Sequence, residues 1–387
     1  MEIRPLTADD LDAALDSNIR AFGPVPAADR DAWRSRVSLA LPEGRLLGAF
    51  DGGRLVATSR VLDFRQWWHG RAVSMGGVAG VTVAPEARGR GIGRRIVTAA
   101  LELCAAKGHA VSVLFPATTR IYRSLGWEHA GGFHKVRLRT EALRTLDAAP
   151  VPVRRATPQD AAEVGAVLRR VHGEARDSGP VDWTVDMWRH KLSDEDLFSY
   201  LAEDGFLAYR WQDGRGESLR VEKLVAGSEA TLRALAAIVG SGSSIAEHVT
   251  AALAPGDPLL WLLGEREVDQ LERTQWMFRL VDAPAAIEAR GYPEGVTADV
   301  PLAVEDLRIK GNSASWRLIV ADGRGRLEPA ADDPAAVRVG ARGLAALYAG
   351  VPVATLRRAG LAEGGTAGAL EALGAVFAGA AFSLDYF

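Results

Sequence analysis

The sequence predicts a mixed α/β protein in three parts: an intact unit, a degenerate repeat of it, and a small α+β module. Three observations predict this. Strand and helix signals alternate over roughly the first 140 residues, the order of an α/β layered domain. The opening "MEIRPLTADDLDAALDSNIRAF" recurs as "VPVRRATPQDAAEVGAVLRRVH": strand, basic residue, Thr, Asp, then an apolar-patterned helix. From about Gly291 the pattern changes to antiparallel strands followed by helices. The parts are 1–146, 147–290 and 291–387, with the first boundary in "DAAPVPV", residues 147–153.

Length and composition agree. A chain of 387 residues exceeds one ordinary core, and 48% hydrophobic with 25% charged residues is the balance of a soluble globular protein. A net charge of −3 gives no reason to expect nucleic acid or an anionic membrane surface as partner. The single cysteine, Cys104, excludes an internal disulfide and a cysteine-based metal site, and no metal is expected. "MEIRPLTADD" has no apolar signal-peptide region, and no apolar run approaches the ~20 residues of a membrane span. A cytoplasmic protein is expected.

In chain order, "MEIRPL" is a strand, and Thr7 caps the helix that follows. "RLLGAFDGGRLVATSRVLDF" is a hairpin turning at Asp51-Gly52-Gly53. "SMGGVAGVTVAP" is a strand ended by Pro85, Ile92 to Lys107 a helix, "AVSVLFP" a buried strand, "RIYRSLGW" a short helix and "HKVRLRT" a last strand. The repeat continues through "DGFLAYRWQDGRGESLRVEKLVAGSEATLRALAAIV", where the junction "LVAGSEAT" has no arginine-glycine loop. In the third part "ADVPLAVEDL", "ASWRLIVADG" and "GRLEPA" are strands; "VRVGARGLAALYAG" and "GALEALGAVFAG" are helices.

The informative stretch is "VAPEARGRGIGRRI". A dinucleotide fingerprint needs G-x-G-x-x-G and an acid ~20 residues on. Gly89-Arg90-Gly91-Ile92-Gly93 has the wrong spacing, and the next strand, "AVSVLFP", has no acid. R-x-x-G-x-G between a strand and a helix fits a pyrophosphate cradle instead. Glycines let the backbone N–H groups approach phosphate oxygens, the helix start adds partial positive charge, and Arg88, Arg90, Arg94 and Arg95 add full charges.

"VTVAPEARGRGIGRR" resembles motif A of the GNAT acetyltransferases. The whole chain resembles the Eis family, which joins a GNAT domain, a degenerate GNAT domain and a sterol-carrier-like domain. The resemblance implies acetyl-CoA as cosubstrate. It places the pantetheine arm along Val81, Thr82 and Val83 and the pyrophosphate on Arg88, Gly89, Arg90, Gly91, Ile92, Gly93 and Arg94, with Ala117 and Thr118 further on. It also implies a homohexamer.

Acetyl transfer to an amine requires an ammonium to lose a proton and a thiolate to be expelled. The resemblance makes Tyr122, in "RIYRSLGW", the general acid. The strand "GGVAGVTV" holds no carboxylate to act as base, and His69 in "QWWHGRA" reads as a surface-loop histidine. The terminus "GAAFSLDYF" is apolar where termini are usually polar, which predicts a buried tail. By the resemblance, the Phe387 α-carboxylate is the base. An ordinary α-carboxyl titrates near ~3.5, so it serves as base only if desolvated, or mainly attracts the ammonium.

For the acceptor, Asp385, Phe22 and Trp33, and by the resemblance Asp282, are candidates to hold an aminoglycoside-like polyamine. Tyr386 stands where the family often has an acid. The alternatives are a lysine or peptide N-acetyltransferase, a lipid-carrying or scaffold protein with a deep apolar cavity in its third part, and a nicotinamide oxidoreductase.

Overall fold

The computed structural model describes residues 1–146, 150–212, 218–265 and 268–387. Residues 147–149 of the linker and 213–217 of the repeat lie outside the described residues. The strand Glu2–Pro5 leads through a capping box of Thr7 and Asp10 into the helix Leu11–Phe22. Thr157 and Asp160 form the same box before the helix Ala161–Glu174. Arg4 meets Asp10 at 2.8 Å, and Arg154 meets Asp160 at 2.9 Å. The sequence repeat therefore extends to the hydrogen bonds that start each helix.

The two halves share a sheet. Among the described residues fourteen strands form one sheet, thirteen from the two halves and one from the chain's tail, and five form a second in the third part. Strand Val268–Leu280, late in the second half, lies between Val111–Leu114 and Glu128–Arg139 of the first, antiparallel to both. Glu128–Arg139 also pairs with His248–Ala252. Apolar alternation sets which face of a strand is buried but not which strand lies beside it, so this exchange left no mark in the pattern.

Two stretches differ from expectation. "QWWHGRA" is a hairpin corner: Arg54–Trp68 turns at His69 and Gly70, both at positive φ, directly into Arg71–Val83. "VRVGARGLAALYAG" begins as the strand Val337–Gly340 and becomes helical only over Ala341–Tyr348, since its β-branched residues come first.

The third part packs the helices Ala341–Tyr348 and Ala367–Val376 on a sheet that includes Ala298–Glu305 and Ala314–Ala321. Leu302, Leu318, Val337, Ala345, Leu373 and Val376 fill the space between, all fully buried. A lipid carrier would need that space open. Trp68 joins this core to the large sheet, with ring centroids 4.9 Å from Phe278 and Tyr348. Arg279 donates to both carboxylate oxygens of buried Asp306 at 2.9 Å.

The tail returns to the first half. Phe382–Ser383 pairs parallel with Gly132 and Phe133, and the Phe382 N–H donates to Ser178 O at 3.0 Å. Any Cβ at Gly131 or Gly179 would strike the tail's carbonyl oxygens, so glycine is required along its path. Lys223 Nζ donates to Asp385 Oδ1 at 2.6 Å, with both side chains about 95% buried. Removing one partner of such a pair strands a charge, at about 3–5 kcal/mol. Lys223→Met is therefore expected to lower the denaturant midpoint clearly, and Lys223→Met with Asp385→Leu to recover most of it. An unchanged midpoint in the single variant would show that the pair does not hold the tail.

Candidate functional site

The site is built on an opening in the sheet. Strand Arg71–Val83 pairs with Arg54–Trp68 along its length, but with Val111–Leu114 only at Met75, Gly76 and Gly77. Beyond Gly77 the two parallel strands part. The register slips between Thr58 and Arg60, opposite Gly80, whose φ of +58° only glycine adopts freely. Among the described residues, 78–83 thus leave one backbone edge free of strand pairing on the open side. Val81 and Val83 lie on that edge, half-buried, and Arg88 Nε folds back onto Val83 O at 3.3 Å. The Thr82 side chain points elsewhere. Its hydroxyl lies 2.7 Å from Ser17 Oγ and 2.8 Å from Thr58 Oγ1, tying the helix Leu11–Phe22 to the bulge.

The arginine-glycine loop follows at once. Gly89 and Gly91 have φ of +78° and +75°, and a Cβ on either would meet nothing within 4 Å. Gly91 caps the helix Ile92–Ala106, whose first N–H groups have no intrahelical partner. Arg88, Arg90 and Arg94 are exposed around it, Arg90 in a solvent-exposed pair with Asp51. Ile92 is buried in the core, so only its backbone faces the loop. At Gly93 a Cβ would press on Ile121 at 3.3 Å, so this glycine serves close packing. This exposed, N–H-rich turn suits a pyrophosphate.

Across the opening, Phe115 and Pro116 lead to exposed Ala117 and Thr118, and Thr118 caps the helix Thr119–Arg123 that carries Tyr122. Tyr122 is 6% exposed and packs against Trp127. Its hydroxyl has no hydrogen-bond partner among the described residues, and burial pushes the phenol up to about 12.

Phe387 lies in the same opening. Its ring centroid is 5.1 Å from Phe64 and 5.5 Å from Phe115, and a Cβ on Gly77 would come within 2.9 Å of it. Gly77, where the strands part, is the residue that sequence reasoning missed; the "SMGG" run was its signal. His69 sits at the other end of strand Arg71–Val83, about 35 Å along it from Gly80 at strand rise. Burial, with Arg290 and Arg176 adding repulsion, lowers its pKa. It is too remote to serve as base.

Two cavities adjoin the opening, and Phe387 lines the second of them. One, of about 480 Å³, is lined by Trp33, Arg36, Thr58, Arg60 and Gly80; the other, of about 600 Å³, by Arg36, Arg60, Phe64, Trp183 and Phe387. Of the expected acceptor residues, only Trp33 is brought here. Phe22 is 59% exposed on the surface. Asp282 caps the helix Ala283–Ala289 by accepting from Ala285 N at 3.0 Å, away from both cavities. Asp385 lines a neighbouring cavity, where Lys223 neutralises it.

Comparison with known proteins agrees with this geometry. Residues 2–130 and 179–280 each match a family model described as an acetyltransferase (GNAT) domain, and 283–383 one described as a sterol carrier protein domain. A GCN5-related N-acetyltransferase from Kribbella flavida is 44% identical, with 100% of this chain and 98% of that one covered and a TM-score of 0.96. Eis1 from Mycobacterium abscessus is 26% identical over both full chains, with a TM-score of 0.79. N-acetyltransferase Eis of Mycobacterium tuberculosis is 28% identical over 345 residues, 82% of each chain. The chain belongs to the GCN5-related N-acetyltransferases. Within them it is of Eis type, with two GNAT domains followed by a sterol-carrier-like one, and it transfers acetyl from acetyl-CoA to amines. No helix among the described residues is long and apolar enough to cross a membrane.

Proposed function

We propose that transfer occurs in the opening between Arg71–Val83 and Val111–Leu114, with Phe387 as proton acceptor and Tyr122 beside the leaving sulfur. The observation that carries this reading is the convergence of Phe387, Gly77 and Phe115 where the strands part. Acetyl-CoA supplies the acetyl thioester. The free edge at Val81 to Val83 would guide its pantetheine, Arg88 to Arg94 its pyrophosphate, and Ala117 and Thr118 would flank it. The Phe387 carboxylate attracts the acceptor's ammonium and takes its proton; the freed amine forms the C–N bond as the C–S bond breaks. A phenol near 12 is a weaker acid than a thiol near ~8.5. Tyr122 therefore steadies the departing sulfur by hydrogen bonding; the second proton, shed by the nitrogen as the amide forms, ends on the thiolate, and the first passes from the Phe387 carboxyl to solvent.

The acceptor in this reading is a small amine entering beside Trp33. Family resemblance suggests an aminoglycoside-like polyamine, in a cytoplasmic homohexamer of chains divided at 146 and 290. Thiol release from acetyl-CoA with aminoglycosides, simple amines and a lysine peptide tests the reading; release with no amine would overturn it. Tyr122→Phe is expected to lower kcat by about 10–100-fold with little change in KM. Because burial keeps the phenol protonated to about 12, the wild-type kcat should not fall between pH 8 and 10. A wild-type fall centred near 10 that Tyr122→Phe abolishes would contradict this assignment.

A further inference from the structure

We propose that the amine this chain accepts carries its own oxyanion, a carboxylate or a phosphate, held by Arg60 and Arg36 beside the Gly80 bulge. The inference rests on the reading above, that a small amine is acetylated in this opening. Both arginines line both cavities, the one at the Gly80 bulge and the one at Phe387. The other lysine and arginine cations there are engaged: Arg45 with Glu43 at 2.8 Å and Asp63 at 3.4 Å, Lys191 with Glu222. The acids are mostly engaged too, Asp186 by Arg189 and Asp194 by Arg210, while Asp29 is exposed to solvent. Arg36 and Arg60 have no ion pair or side-chain hydrogen bond among the described residues, and Arg60 Nε is buried without a partner.

Arg60 is half-buried with its Nε sealed from solvent; a cation so placed with no counter-charge is costly, and a bound anion relieves that cost. Burial, with Arg36 second, brings the Arg60 guanidinium down to about 10, so it stays charged at neutral pH. Arg60 pairs in register with Ala79, and its Nε lies 3.9 Å from where a Gly80 Cβ would stand. From Gly80 to Val83 the strand advances about 10 Å towards the arginine-glycine loop, which sets Arg60 at the acceptor end. A guanidinium binds carboxylate or phosphate through paired N–H donors. A dipolar acceptor would then span the opening, its anion on Arg60 and its ammonium towards the Phe387 carboxylate. This departs from the aminoglycoside-like polyamine that family resemblance suggests, since a polycation would meet the unpaired guanidiniums of Arg60 and Arg36.

The test compares matched acceptors: free amino acids with their amides, an aminoalkyl phosphate with its amino alcohol, and an aminoglycoside. Turnover is measured by thiol release, and direct binding by calorimetry on wild type and Arg60→Met. The anionic member of a pair should be preferred by about tenfold or more in kcat/KM, with the preferred pair identifying carboxylate or phosphate. Arg60→Met should erase the preference through KM and leave the CoA Kd unchanged; Arg36→Met, at an exposed position, gives the same reading if Arg60→Met fails to fold. Equal or better use of amides, amino alcohols or aminoglycosides would overturn the proposal. So would a raised CoA Kd in Arg60→Met with the preference intact, or no saturable binding of any anionic amine. Acetylation of neutral amines alone would leave the transfer reading standing while this inference falls.

Discussion

Gly91→Glu is expected to fold and to lose at least about a hundredfold in acetyl-CoA affinity. Gly91 sits at a φ of +75° at the helix start, and nothing lies within 4 Å of its Cβ position. The cost to folding is therefore backbone strain alone, of order 1–3 kcal/mol. The cost to binding is larger. A glutamate there places a negative charge where the pyrophosphate would sit and engages the same N–H groups and arginines. Charge-assisted hydrogen bonds contribute about 1.5–3 kcal/mol each, so losing two accounts for two to four decades. Gly91→Ala separates the terms, since it carries the strain without the charge. Calorimetric titration with CoA checks both; normal affinity in Gly91→Glu would remove the loop from cofactor binding.

Removing Phe387 is expected to lower kcat by about 10²–10⁴-fold while CoA affinity changes by less than about twofold. The deletion moves the terminal carboxylate back to Tyr386, which is 62% exposed, and strips the ring from between Phe64 and Phe115. Asp385 still pairs with Lys223, so the rest of the tail keeps its anchor. The arginine-glycine loop belongs to another element and is untouched. Full activity on the preferred amine would take the terminus out of the chemistry.

Local chemistry carried most of what the sequence revealed. The glycines at 89 and 91, the paired Thr/Asp boxes and the apolar tail all announce themselves, because a positive φ, a cap or a buried terminus constrains residue type at that position. Partnership between distant strands does not. Nothing in "VDQLERTQWMFRL" says that it inserts between Val111–Leu114 and Glu128–Arg139. Single acids were likewise illegible, since Asp282 and Asp385 read alike in sequence while one is an exposed helix cap and the other is buried against a lysine. Arg60 was passed over for the same reason. Its meaning lies in the absence of a partner, and a partner is a property of the fold.

The central claim is that the α-carboxylate at residue 387, rather than the bulk of the tail, receives the acceptor's proton. Extending the chain by one glycine tests it most directly. The Phe387 ring stays between Phe64 and Phe115, while the carboxylate moves by one residue, about 3.5 Å. Single-turnover acetyl transfer by the acetyl-CoA-loaded extended chain should be slowed about 10²-fold or more, with CoA affinity and the denaturation midpoint unchanged. Transfer at the wild-type rate would contradict the account and leave Phe387 a packing residue.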